Sequence, residues 1–361
     1  MKKLLNMIVG IFLLTSLCYA DDGLNAKAQK FLNDSLQDHS APGVVMLISN
    51  DKVGTVVFAA GESNIENHTR MKVDDTFRIA SMSKTFIAAA ILKLVDEGKL
   101  KISDPISMLL PSSMDVKRLP NGEALTVKDL LQMRSGLPDY YQSDEYNALF
   151  SDDKNHIVTA TEAVSTIYDK KPLFSPGKKY NYSNTNYVIL QLIIEKVTQK
   201  PLAQALNSLI IDPLHLTHTY ITEEKDFTNA NDHRLTTHGY TLDDNKKFID
   251  VTKKYDGTGL GDGCVVTDLS DLQKFLKALL EDKTFISSDG LKQMLHLVDD
   301  YGLGISAEET PSGIYYTHNG DASGYSGQYY LDKSNNLVII LTNSDETKFI
   351  GDLSDNIYQQ L

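Results

Sequence analysis

A serine followed three residues later by a lysine, Ser81-Met-Ser-Lys84, is the pair in this chain best placed for covalent chemistry. A hydroxyl is a weak nucleophile until a neighbour takes its proton, and an amine one helical turn on can reach it. Apolar residues at Phe86, Ile87, Ile91, Leu92 and Val95 recur at helical spacing, so the sequence predicts a helix over 81–98, ended by Gly98. Ser81 then stands at a helix start, where the first N–H groups favour negative charge on an attacking oxygen. The same S-x-x-K spacing occurs at Ser49, Ser151 and Ser175. Those serines fall at a strand end, in an Asp-Asp-Lys loop and before Pro176-Gly177, where a capping or turn serine beside a solvated lysine is the simpler reading. Only Ser81 opens a long apolar helix.

Two further patterns bear on proton transfer and substrate positioning. Tyr182-Ser183-Asn184 is the one Y-x-N among 18 tyrosines. A phenol becomes a competent proton shuttle when a cation such as Lys84 stabilises its phenolate. Asn184 offers a donor and an acceptor, enough to orient Lys84 and bind a substrate amide. Read as a polar turn, the same stretch needs no chemistry at all. His318-Asn319-Gly320 is the one H-x-G among nine histidines, at the end of a β-rich run over Gly313–Thr317. Glycine there would let a substrate backbone lie along the strand edge. The N–H of Asp321 could then join that of Ser81 as an oxyanion hole. A surface turn with an incidental histidine is the bland alternative.

These groups need a scaffold. The 361 residues are 42% hydrophobic and 23% charged, enough apolar material for a large core. Residues 1–20 stand apart: Lys2 and Lys3 precede an apolar run over Leu4–Leu17, then Cys18-Tyr19-Ala20. That is the pattern of a secretory leader cleaved after Ala20, too short for a stable membrane span, and it predicts a periplasmic or secreted protein. Losing its two lysines takes the formal charge from −13 to −15. So acidic a protein repels nucleic acid and anionic lipid. One cysteine then remains, Cys264, which excludes an internal disulfide and reads as a small buried residue.

Strand-like runs over 44–49 and 53–60, joined by a hairpin signal at Asn50-Asp51-Lys52, follow a helix over 24–39. Further strand-like runs cover 313–317, 324–331 and 337–342, and a helix is expected from Asp345 to about Tyr358. Between them lie helical patches, including 190–197, 202–210 and 268–280, the last capped by Thr267. The economical fold is α+β: an antiparallel sheet built from both ends of the chain, flanked by helices, with a mainly helical second lobe. The sheet lobe would take about 21–75 and 260–361, and the helical lobe about 76–259. His215 with His218, and His233 with His238, lack an H-E-x-x-H setting and predict no metal. Glycines at 257, 259, 261 and 263 lack the G-x-G-x-x-G spacing of a dinucleotide loop, and no cofactor is expected.

Taken in order, Ser81–Lys84, Tyr182–Asn184 and His318–Gly320 resemble the serine β-lactamase and D-Ala-D-Ala carboxypeptidase superfamily, in its class C β-lactamase-like branch. Supporting stretches are 76–111, 130–140, 174–187, 263–272 and 318–327. The resemblance implies a β-lactamase/transpeptidase-like fold and an exported hydrolase working through an acyl-enzyme. Ser81 would be acylated and Lys84 would be its proton acceptor or electrostatic partner. Tyr182 would shuttle the proton and Asn184 position the substrate, with His318, Gly320 and Asp321 completing the site. The implied substrates are small: D-amino-acid peptides in a carboxypeptidase-like reaction, or β-lactams. His318 stands where class C β-lactamases usually carry lysine, which moves the resemblance toward carboxypeptidase, esterase and D-aminopeptidase relatives. A catalytically silent binder of cell-wall peptides is the reading outside enzymology. Met133-Arg134 and Cys264 also depart from the usual residues of the family, without touching the proton-transfer set.

Overall fold

The computed structural model describes residues 22–36, 41–51, 54–149, 156–223, 226, 234–254, 259–310, 313–346 and 350. The expected leader, His233, Ser151 and most of the expected C-terminal helix lie outside them. Strands β1 (Gly43–Asn50), β2 (Gly54–Asn64) and β3 (Thr69–Arg70) come from the N-terminal portion. Strands β9 (Ser306–Thr310), β10 (Gly313–Ala322), β11 (Tyr325–Asp332) and β12 (Leu337–Thr342) come from the C-terminal portion. Together they form one seven-stranded sheet in the order β3-β2-β1-β12-β11-β10-β9, antiparallel throughout. Its seam is β1 against β12, with Val44 opposite Thr342 and Ser49 opposite Leu337.

Both faces of that seam are covered, which is why β1 and β12 read as unbroken apolar runs instead of alternating ones. Val44, Met46 and Ile48 pack with Leu32 of helix α1 (Asp22–Ser35) and with Val338 and Ile340. Val45, Leu47, Ile339 and Leu341 turn the other way, into the main core. There the helix Leu269–Leu276 packs on both strands, and the same core holds helix α2 (Ser83–Asp96), whose Ile87, Ala88, Ile91 and Leu92 are fully buried, and the long helix Thr185–Thr198. Shorter strands β4 (Phe77–Arg78), β5 (Tyr220–Ile221) and β8 (Val265–Thr267) form a three-stranded sheet in the order β4-β8-β5, and β6 (Tyr240–Leu242) pairs with β7 (Phe248–Asp250).

Several boundaries differ from the sequence expectation, among them the helix expected over 190–197, which runs Thr185–Thr198. The helix expected over 268–280 begins at Leu269 and is capped by Asp268, whose carboxylate accepts the Asp271 N–H at 2.8 Å, not by Thr267. A carboxylate at that position also faces the helix dipole favourably. The serine helix begins with a 3₁₀ turn over Ala80–Met82, and α2 proper starts at Ser83. Finally, β10 runs on to Ala322, so His318 to Asp321 lie within a strand paired to β11 and not beyond its end.

Candidate active site

Ser81 is carried by the 3₁₀ turn between β4 and α2, and its neighbours fix that turn tightly. Ala80 before it has φ +46°, a left-handed conformation costing a non-glycine residue roughly 1–2 kcal/mol. Ile79 donates its N–H to the Val265 carbonyl at 3.1 Å, and its own carbonyl takes the Met82 N–H at 3.1 Å. Such strain concentrates at functional sites, where surrounding structure over-determines it.

Lys84 follows in the first turn of α2, fully buried. Its Nζ donates to Ser81 Oγ at 2.8 Å, to Asn184 Oδ1 at 2.9 Å and to the Asp262 carbonyl at 2.9 Å. Three acceptors saturate an ammonium group. The Tyr182 hydroxyl donates to the same Ser81 oxygen at 2.9 Å, and Lys84 Nζ lies 5.0 Å from the centre of its ring. Ser81 Oγ thus receives a cationic and a phenolic donor at once. Asn184, at the N-terminus of the Thr185–Thr198 helix, passes its own Nδ2–H to Asp139 Oδ2 at 3.1 Å. The chain Asp139–Asn184–Lys84–Ser81 therefore locks the amine in place.

A cavity of about 380 Å³ opens on this oxygen, lined by Ser81, Asn184, Tyr140, Asp262 and Asp321 among others. The structure thus brings Ser81, Lys84, Tyr182, Asn184 and Asp321 to one place from three separate segments. His318 and Gly320 do not line the cavity among the described residues. His318 is 2% exposed: its Nδ1–H donates to the Asn319 carbonyl at 2.7 Å, and Tyr301 covers Nε2 at 3.4 Å. Burial, with Lys84 nearby, pushes its pKa down to about 4, so the ring is neutral at pH 7. Gly320 faces the serine turn and not an open strand edge: a Cβ there would lie 2.1 Å from the Ile79 carbonyl oxygen. Cys264 is fully buried with its thiol pKa pushed well up, and so is no nucleophile.

Three residues without a motif of their own join the site: Asp139, Tyr140 and Asp262. The Tyr140 hydroxyl donates to Asp262 Oδ2 at 2.9 Å. Burial raises the carboxyl pKa of Asp139, and that of Asp262 to about 6, against the pull of Lys84 on both. The only sequence signal for them is position, in the stretch 130–140 and in the glycine run ending at 263. Elsewhere, Glu66, His238 and Asp250 bring ligand atoms within 4.8 Å of one another. There His238 is bonded to Asp250 at 2.7 Å, and Glu66 to the Tyr240 hydroxyl at 2.6 Å, so these groups satisfy one another.

The family model described as Beta-lactamase matches residues 28–359. Penicillin-binding protein 4* of Bacillus subtilis is 27% identical over 327 residues, covering 82% of this chain and 69% of that protein. Among solved structures, a D-stereospecific amidohydrolase from Streptomyces sp. superposes with a TM-score of 0.77 at 26% identity, covering 90% of this chain and 96% of that one. A D-amino acid amidase from Ochrobactrum anthropi SV3, complexed with D-phenylalanine, shares the fold with a TM-score of 0.77 at 24% identity, over 94% of this chain and all of that one. A match over so much of the chain, with the lysine nitrogen and the tyrosine oxygen converging on the serine oxygen, places this protein in the β-lactamase family of serine hydrolases and penicillin-binding proteins.

Proposed function

We propose that this chain is an exported serine hydrolase that cleaves amide or ester bonds of D-amino-acid substrates through an acyl-enzyme on Ser81. The observation that carries this is the pair of donors on Ser81 Oγ, Lys84 Nζ at 2.8 Å and Tyr182 OH at 2.9 Å, at the wall of an open cavity. Both partners lie within proton-transfer reach of the attacking oxygen. For attack one of the pair must have lost a proton, Lys84 as the free amine or Tyr182 as the phenolate, and as Oγ bonds to the substrate carbonyl carbon its proton passes to that partner. The oxyanion that forms is held by the N–H groups of Ser81 and Asp321, each such donor being worth roughly 10²–10³ in turnover. Tyr182, 36% exposed, borders solvent and returns the proton to the leaving amine or alcohol. Water entering from the cavity then hydrolyses the ester on Ser81 by the reverse proton path. The leader-like run over 4–17 supports export.

Within this reading, a carboxypeptidase needs a cation for the terminal carboxylate of its substrate. The buried, neutral His318 does not supply one, and no lysine or arginine is among the described residues lining the cavity. Amidase or esterase action on D-amino-acid derivatives therefore fits the geometry better than removal of a C-terminal D-alanine. The test is intact-mass analysis after exposure to a fluorophosphonate: one adduct on the wild type and none on Ser81→Ala. An adduct that persists on folded Ser81→Ala overturns the assignment. Turnover of D-Ala-D-Ala peptides with none of short acyl esters or amides would restore the carboxypeptidase form.

A further inference from the structure

The acyl-transfer steps use the main chain of Asp262 and leave its side chain without a task. That carboxylate is 8% exposed and forms part of the cavity wall beside Ser81 and Asn184. Its Oδ2 takes the Tyr140 hydroxyl, but Oδ1 is buried with no hydrogen-bond partner among the described residues. Leaving a buried acceptor unpaired is costly, more so for a charged one, so a ligand that donates to it recovers that energy. The local charge points the same way. Two carboxyl groups, Asp139 and Asp262, feel the pull of the single ammonium of Lys84 without bonding to it, and Asp321 and Asp345 add further acids to the wall. Asp262 is also a near neighbour of the nucleophile: two bonds of 2.8 and 2.9 Å on Lys84 Nζ place its main-chain carbonyl oxygen within about 6 Å of Ser81 Oγ. An amine on the α-carbon sits two bonds from the carbonyl carbon under attack, about 2.5 Å away.

We infer that Asp262 seats the α-ammonium group of the substrate, so that the enzyme selects D-amino-acid amides, esters or peptides with a free amine next to the scissile bond. This rests on the acyl-enzyme reading above and narrows it to an amidase or aminopeptidase specificity. N-acylated residues bring no donor of that charge to Oδ1 and strand the carboxylate. At pH 7 a group with its pKa near 6 is about nine-tenths ionised, so the charge is available for pairing.

The experiment compares D-alanine 4-nitroanilide with its N-acetyl counterpart at pH 7, on the wild type and on Asp262→Asn. The wild type should favour the free amine in kcat/KM by tenfold or more, and Asp262→Asn should reduce that preference at least tenfold, whatever its absolute turnover. A wild type that prefers the acetylated substrate, or a preference unchanged in Asp262→Asn, overturns the inference while leaving the acyl-enzyme reading intact. A protein that hydrolyses neither and takes no fluorophosphonate on Ser81 overturns both. Should Asp262→Asn not fold, the wild type alone decides. D-alanine amide must protect Ser81 from fluorophosphonate at concentrations at least tenfold below those of N-acetyl-D-alanine amide, and equal protection rejects the ammonium seat.

Discussion

Replacing Gly320 by alanine tests how the nucleophile is held. The added Cβ would lie 2.1 Å from the Ile79 carbonyl oxygen and 3.2 Å from the Ala80 Cβ, against an ordinary contact of about 3.4 Å, so the two segments must part by roughly 1.3 Å. Neither side can yield by a rotamer change, because the clash is with backbone. The Ile79 segment is pinned to Val265 and Met82, and strand β10 is pinned to β11, where Gly320 faces Gly327. The parting therefore moves Ser81 relative to Asp321, and misplacement by about 1 Å costs on the order of 10²-fold in rate. Overpacking adds about 1–3 kcal/mol of destabilisation. Steady-state kinetics on a chromogenic substrate, with thermal unfolding of the same samples, should show a large fall in kcat and a lowered Tm. If Gly320 instead served to leave room for a substrate strand, KM would rise with kcat and Tm unchanged. A folded Gly320→Ala with kcat within threefold of wild type would refute the argument.

Tyr182→Phe removes a hydroxyl bonded to Ser81 Oγ at the protein surface, so fold and Tm should persist while kcat falls by roughly 10²–10⁴, the range for a lost proton shuttle; a kcat within threefold of wild type would remove the tyrosine from the mechanism. Asp262→Asn should also change the pH dependence of stability. A carboxyl pKa raised from 3.8 to about 6 on folding means that the native state binds the proton more tightly. That contribution is fully present below about pH 3.8 and is lost as pH rises through 6. The neutral variant should therefore be more stable than wild type at pH 7, by up to about 3 kcal/mol, with the difference vanishing near pH 4. Urea unfolding across that range checks it, and a gap that widens on acidification contradicts the burial argument.

Much of this arrangement is written in local pattern. Ser81 and Lys84 are found from helical spacing alone, because the reach of one turn is a property of the helix and not of the fold. Strands β1, β10, β11 and β12 announce themselves as β-branched and aromatic runs, and the sheet built from both chain ends follows from their positions. Asp262 is different in kind. Its surroundings are Tyr140 and Lys84, 122 and 178 residues away in the chain, and an acid between glycines reads locally as a solvated turn. The extent of β10 is hidden for a similar reason: His318 looks like a polar terminator, and only Tyr301 and the pairing with Tyr329 on β11 show that it is buried. Burial of a titratable side chain is a long-range fact, and motif spacing carries no trace of it.

The seam between β1 and β12 sets a condition on how the molecule can assemble. Thr342 Oγ1 donates to the Gly43 carbonyl across 299 residues, and β1 has no partner on that side until Leu337–Thr342 exists. Contacts so distant along the chain form late and slowly. A growing polypeptide therefore remains open until almost its last strand is synthesised, and any truncation upstream of Leu337 leaves an apolar edge bare for intermolecular pairing.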